Sequence, residues 1–251
     1  IKLYSTLDKK IVDILPLEEG KISMYNCGPT VYYRMHIGNI RAYINWDILH
    51  RSLKYLGYDV KRVINITDVG HMTADEDFGE DKMDKQAGKE GVDPLDIANK
   101  YIDTVLDDFR KLNILAPNGE SISDDSNHKD VSEYGFARAT EYIDEMIDII
   151  KKIEANGYTY ETKQAVYFDV TKIPDYTIFT GQNLEDKEVG VRDEVGVDPE
   201  KRNPADFVLW MKRYGKYENH IMNWESPWGN GFPGWHIECT AMGTSILGDR
   251  F

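Results

Sequence analysis

The chain opens with short apolar runs followed by one long helical stripe. Ile22 and Met24 lie in a run that ends at Cys27, where Gly28-Pro29 follows. That pair stops a strand and forces a turn. After His36-Ile37-Gly38-Asn39, the residues Ala42, Trp46, Leu49, Leu53 and Leu56 recur three and four positions apart. This spacing predicts a helix with one apolar face, and Gly57 supplies a C-terminal cap. Val60, Val63, Ile64 and Ile66 form a compact β-branched run, read as a buried strand. Strand, crossover helix and parallel strand form the unit of a doubly wound sheet.

Further along, 75–91 is acidic and carries glycines, which predicts an exposed loop. Asp93-Pro94 reads as an N-cap followed by Pro at the first helical position, with Ile97, Tyr101, Val105 and Phe109 as the buried stripe. Pro117-Asn118-Gly119 marks a boundary. A second long helix is predicted over 131–155, with Phe136, Ala139, Ile143, Met146, Ile150 and Ile153 on its apolar face and Asn156-Gly157 closing it. The stretches 158–160 and 165–170 read as paired strands. Residues 171–205 are charged and aperiodic, a length of loop that is usually functional or belongs to an inserted module. A short apolar run at 207–210 precedes a tail, 224–235, rich in Trp, Gly and Pro.

Composition narrows the function classes. With 41% hydrophobic and 29% charged residues, the chain is globular rather than disordered. No stretch approaches the roughly 20 apolar residues of a membrane helix, and residues 1–20 carry no secretion signal, so no membrane association and a cytoplasmic location are expected. Lys plus Arg is 30 and Asp plus Glu is 44, a net charge of −14. That balance argues against general nucleic-acid binding and restricts any RNA contact to a local basic patch. Two cysteines, Cys27 and Cys239, make no disulfide framework.

Three segments carry candidate chemistry. His36-Ile37-Gly38-Asn39 sits where a loop meets a helix start. Free amides there favour an anion, the glycine admits a phosphate, and His36 and Asn39 add donors. A capping turn is the plainer reading. Cys27 ends a strand, and Cys239 lies in Gly234-Trp235-His236-Ile237-Glu238-Cys239. Free cysteines are usually apolar fillers, yet two thiolates with His or carboxylate make a zinc site. Asn65-Ile66-Thr67-Asp68 closes the second strand. In open α/β sheets ligands bind beyond that end, although polar residues also terminate strands without further function.

Taken together, the segments resemble one family. Cys27-Gly28-Pro29-Thr30-Val31-Tyr32, His36-Ile37-Gly38-Asn39, Asn65-Ile66-Thr67-Asp68, Lys201-Arg202-Asn203-Pro204, Asp206-Phe207-Val208-Leu209-Trp210, Ser226-Pro227-Trp228-Gly229 and Pro233-Gly234-Trp235-His236-Ile237-Glu238-Cys239 stand in the order found in cysteinyl-tRNA synthetases. The resemblance implies an α/β fold, the Rossmann-like parallel sheet of a class I aminoacyl-tRNA synthetase split by an inserted α+β module. The implied division is 1–116 for the first half of the catalytic domain, 117–224 for the module and 225–251 for the start of the second half. It implies ATP-dependent activation of L-cysteine to cysteinyl-adenylate, with Mg2+, and transfer to tRNA(Cys). By the same resemblance Cys27 and Cys239 are two ligands of a zinc ion that selects the substrate thiol. His36, Gly38 and Asn39 handle ATP, and His36 and Asn39 serve catalysis. Gly28, Thr67 and Trp235 line the amino-acid pocket.

The sequence departs from the pattern at Asn39, where the family motif has a second His. Asn keeps a donor but is never cationic. The family's other two zinc ligands, a His and a Glu, and its Lys-Met-Ser-Lys-Ser loop have no counterpart in these residues; Lys82-Met83-Asp84-Lys85 is not that loop. The 251 residues alone are therefore expected to be an incomplete, inactive fragment. Two other functions fit parts of the pattern. One is a cysteine ligase of mycothiol biosynthesis acting on an amino-sugar; the other is a non-catalytic module that binds zinc or a partner.

Overall fold

The computed structural model describes residues 1–70, 82–178 and 198–251. An antiparallel hairpin, β1 (Lys2–Ser5) with β2 (Lys10–Asp13), precedes a parallel sheet. In that sheet β4 (Asp59–Ile66) lies between β3 (Lys21–Asn26) and β5 (Phe136–Arg138). A four-stranded antiparallel sheet runs in the order β6 (Thr159–Glu161), β7 (Ala165–Phe168), β8 (Phe207–Lys212), β9 (Gly231–Pro233).

Helix α1 (Ile37–Tyr55) is the predicted crossover between β3 and β4. It ends where Gly57 adopts a φ of +89° and the Tyr58 N–H donates to the Leu53 carbonyl at 3.1 Å, a Schellman closure that only a residue tolerant of positive φ can make. Helix α3 (Pro94–Lys111) is capped by Asp93, whose carboxylate accepts from the Leu95 N–H at 2.9 Å. Its stripe of Ile97, Tyr101, Val105 and Phe109 is buried as expected.

The sheet is covered on both faces. Ile64 and Ile66 of β4 pack with α3, Tyr43 and Phe136. Val63 faces the other way, toward α4 (Ile143–Ala155), α5 (Ile237–Leu247) and Trp210 of the antiparallel sheet. Burial on both faces explains why the apolar residues Val63, Ile64 and Ile66 of β4 do not alternate with exposed ones. Among the described residues, no helix is long and apolar enough to cross a membrane.

Three expectations are corrected. The helix read over 131–155 is the strand β5, a short 3-10 turn (Ala139–Tyr142) and then α4. Phe136 and Ala139 are buried at helical spacing, but Gly135 at φ +82° interrupts a helix, and the β4 edge offers ladder hydrogen bonds that a helix there would leave unmade. The acidic stretch 75–91 is not a loop throughout. Residues 71–81 lie outside the described residues, and α2 (Lys82–Glu90) follows. In α1 the buried positions are Tyr43, Asp47, His50 and Leu53, while Leu56 is exposed. The helix is docked by polar anchors: Asp47 accepts from the Leu115 N–H at 3.0 Å and from Arg51 at 2.7 Å, and His50 faces buried Arg62 at 3.3 Å. An apolar periodicity cannot register such a contact.

Phe136–Arg138 falls inside 117–224 yet completes the parallel sheet beside β4.

Candidate active site

Because β3 and β4 run parallel, the turns that follow them open on the same end of the sheet. The two turns are laced together. The Thr67 N–H donates to the Pro29 carbonyl at 2.9 Å, and the Val31 N–H to the Thr67 carbonyl at 3.2 Å. The Gly28 N–H donates to Asn65 Oδ1 at 2.6 Å, and Asn65 Nδ2 donates to Thr67 Oγ1 at 3.0 Å. A methyl group on Gly28 would stand 1.5 Å from the Asn65 carbonyl oxygen, so the backbones touch and no larger residue fits. Thr67 itself is buried.

Next to these turns Asp68 is fully buried and anchors β5. It accepts from Arg138 Nε at 2.7 Å, from the Thr140 N–H at 2.9 Å and from Thr140 Oγ1 at 2.7 Å. Arg138 in turn donates to Asn99 of α3 at 3.2 Å. One carboxylate thus ties the ends of β4 and β5 to a helix.

Cys27 leaves β3 into this crevice. Cys239 reaches it from the first turn of α5, and the two thiols share a hydrogen bond. The bond from Cys239 draws the Cys27 thiol down to about 7, against some desolvation. The same contact, with burial, drives the Cys239 thiol up. Tyr25 lies against Cys239, its phenol held well above the ordinary range chiefly by burial. Glu238 is wholly buried, and burial, Asp68 and Cys27 all hold its carboxyl well above the usual carboxylate range.

Ahead of α5 the chain is strained. His236 has a φ of +78°, a left-handed conformation that non-glycine residues enter mainly where the surroundings impose it. Gly234 has room for no Cβ, since one would lie 2.0 Å from the Val208 carbonyl. Trp235 is half-buried; with Gly70 and Val208 it lines a small pocket just past Asp68. The ring of His236 stands edge-on to Phe207 at 5.7 Å.

At the start of α1, His36 is the N-cap. Its Nδ1 accepts from the Gly38 N–H at 3.0 Å, and its own N–H donates to Asn39 Oδ1 at 3.2 Å. An accepting Nδ1 places the imidazole proton on Nε2. His36 and Asn39 thus clasp the helix start, as the plainer reading expected, with a ring N–H and an amide still able to donate outward. Cys27, Gly28 and Thr67 sit on the turns beyond β3 and β4, His36 caps α1 with Gly38 and Asn39 in its first turn, and Cys239 and Trp235 come in from the α5 side.

Of the residues that now define the site, Asn65 and Glu238 stood within the candidate segments without a role of their own, and Arg138 was not singled out from sequence. A signal existed for Asn65: an amide within the apolar run of β4 must find partners if that strand is buried. For Arg138 the pattern pointed to a helix.

A parallel sheet flanked by helices, with polar groups gathered beyond the strands' C-terminal ends, is the Rossmann-like α/β class. Residues 13–251 match the family described as tRNA synthetases class I (C) catalytic domain, and the chain belongs to that family. It is 47% identical over 250 residues to a cysteine–tRNA ligase of Treponema denticola, covering 100% of this chain and 47% of that protein. It is 41% identical over 251 residues to the cysteine–tRNA ligase of Deinococcus radiodurans, covering 100% of this chain and 46% of that one. It is 41% identical over 249 residues to the cysteine–tRNA ligase of Thermus thermophilus, covering 99% and 48%. The chain spans about half the length of the curated relatives it matches.

Proposed function

We propose that this chain carries the cysteine-selecting part of an enzyme that activates L-cysteine with ATP and transfers it to tRNA(Cys). The observation that carries the reading is the meeting of Cys27 and Cys239, distant in sequence, beside the crevice of the parallel sheet. The donor set suits a zinc ion: two soft sulfurs in contact, one drawn toward the thiolate at neutral pH. Among the described residues no cluster of three or more His, Cys, Asp or Glu adds to them, so Cys27 and Cys239 would supply two positions of a four-coordinate shell. Bound there, zinc would supply a soft site for the substrate sulfur. A pocket that reads shape alone separates cysteine from serine by only about a hundredfold.

The chain's own residues divide the remaining work. His36, through its Nε2 proton, and Asn39, through its amide, donate to the phosphates of ATP, with Mg2+ accompanying the nucleotide. The start of α1 adds backbone N–H groups, and Gly38 leaves space for the anion. Gly28, Thr67 and Trp235 line the amino-acid pocket. The catalytic sheet borrows β5 from within 117–224, and β6–β8 form the body of the inserted module, with β9, from within 225–251, completing their sheet. The enzyme works in the cytosol, where the thiols stay reduced.

The test is cysteine-dependent ATP–pyrophosphate exchange by the protein that carries this sequence. Cys27→Ser and Cys239→Ser are each expected to lower zinc content and to abolish preference for cysteine over serine. A wild-type protein that activates serine as well as cysteine overturns the reading.

A further inference from the structure

We propose that Asn65 is the positioning residue of the sulfur site: its amide sets the Cys27–Gly28 turn against α5 and orients the Thr67 hydroxyl. The inference rests on the reading of the Cys27–Cys239 pair as the functional geometry, and extends it to a residue whose side chain bonds Gly28 and Thr67.

Asn65 is fully buried, between Ile64 and Ile66, which are also fully buried. An amide in that setting is unfavourable unless it is hydrogen-bonded. Both of its ends are satisfied, and both partners belong to the crevice: Gly28 N–H at 2.6 Å and Thr67 Oγ1 at 3.0 Å. The orientation is forced. A flipped amide would set its NH2 against the Gly28 N–H, donor against donor. The side-chain bond therefore acts on the residue next to Cys27, 37 positions away in sequence. The packing leaves no slack for that turn to drift, because Gly28 already lies against the Asn65 backbone.

A second consequence concerns Thr67. Its oxygen accepts from Asn65, so the hydroxyl proton is directed to some other acceptor. Thr67 becomes a donor of fixed direction in a buried position, suited to a carbonyl or carboxylate oxygen of a bound amino acid. One amide thus couples the placement of a sulfur ligand to the polarity of a neighbouring hydroxyl.

The experiment compares Asn65→Ala and Asn65→Asp with wild type in the purified protein, using two probes. A trivalent arylarsine oxide joins two neighbouring thiols, forming two As–S bonds and releasing one water, and reports whether the sulfurs are within reach. Cd2+ reports thiolate coordination by its ultraviolet charge-transfer band. Asn65→Ala is expected to slow bridging by about tenfold and to weaken Cd2+ about 10–100-fold, as outer-shell partners of metal ligands do. Asn65→Asp retains an acceptor for the Gly28 N–H and should keep both within about threefold. A folded Asn65→Ala protein that bridges at the wild-type rate, or an Asn65→Asp protein no better than Asn65→Ala, overturns the proposal. If circular dichroism shows Asn65→Ala unfolded, Asn65→Ser takes its place against Asn65→Asp with the same criteria. Wild-type protein that bridges the arsenical but binds neither Cd2+ nor Zn2+ removes the zinc reading and leaves the role of Asn65 standing.

Discussion

The two rims of the crevice are built in opposite ways. On the rim proposed to hold the nucleotide, His36 and Asn39 hold each other across 3 positions, and the whole device lies in one turn of chain. On the sulfur rim, Gly28 is held by Asn65 from 37 positions away, Thr140 is held by Asp68 from 72 away, and Cys27 meets a partner on the last helix. A local cap forms wherever its helix forms. The sulfur rim exists only when three strands and α5 are in place together. Damage to it should therefore spread through the fold, whereas damage to the nucleotide rim should stay local.

The largest effect is expected for Gly28→Ala. The added methyl group meets the Asn65 carbonyl, and nothing flexible is there to yield, so urea denaturation should show a loss of about 4 kcal/mol or more. A loss below 1 kcal/mol would mean that the two turns are not in contact. Next is Asp68→Ala. It leaves Arg138, largely buried, without its carboxylate, a change expected to cost about 3–5 kcal/mol. Amide hydrogen exchange should place the opening at β5 and the start of α4 rather than at α1.

The third test is of pH. His50 is driven from its ordinary 6.5 to about 4 by burial, with Arg62 and Lys54 adding to the effect and Asp47 opposing it. The unfolded chain therefore binds a proton that the folded chain refuses between those values. Its contribution to stability is complete above pH 6.5 and is lost as pH falls toward 4. Urea midpoints for wild type should drop between pH 6.5 and 5, and His50→Gln should flatten that drop; equal slopes would exclude His50 as its source. The smallest effect is expected for His36→Ala, about 1 kcal/mol for a lost N-cap, with exchange rising only in the first turn of α1. His36→Asn sharpens the comparison, because Asn caps well but lacks the ring N–H. Stability should be retained while ATP affinity falls.

Much of this was legible from sequence where the determinants are local. The Asp93 cap, the ends of α1 and α4 at Gly57 and Gly157, and the pairing of β6 with β7 all rest on turn chemistry within a few residues. The misread helix at 131–155 shows the limit. Phe136, Ala139 and Ile143 satisfy helical spacing, and the competing strand is chosen by the vacant edge of β4 and by Asp68 holding Arg138 and Thr140, none of which lies nearby in sequence. The His36–Asn39 turn could be named as a site because its residues adjoin. Cys27 and Cys239 could be paired only through resemblance, since spacing places no constraint on two thiols at opposite ends of a chain. Asn65 was named in its segment without a role of its own, because its partner Gly28 becomes a neighbour of its side chain only once β3 lies alongside β4.

The sulfur pairing also has a schedule. Cys27 and Cys239 are separated by roughly two hundred residues, and a ribosome adding about 5–20 residues per second delivers the second thiol some 10–40 s after the first. During that interval the earlier sulfur lacks its partner from α5. Translation speed through the intervening codons therefore sets how long each new molecule holds Cys27 without Cys239.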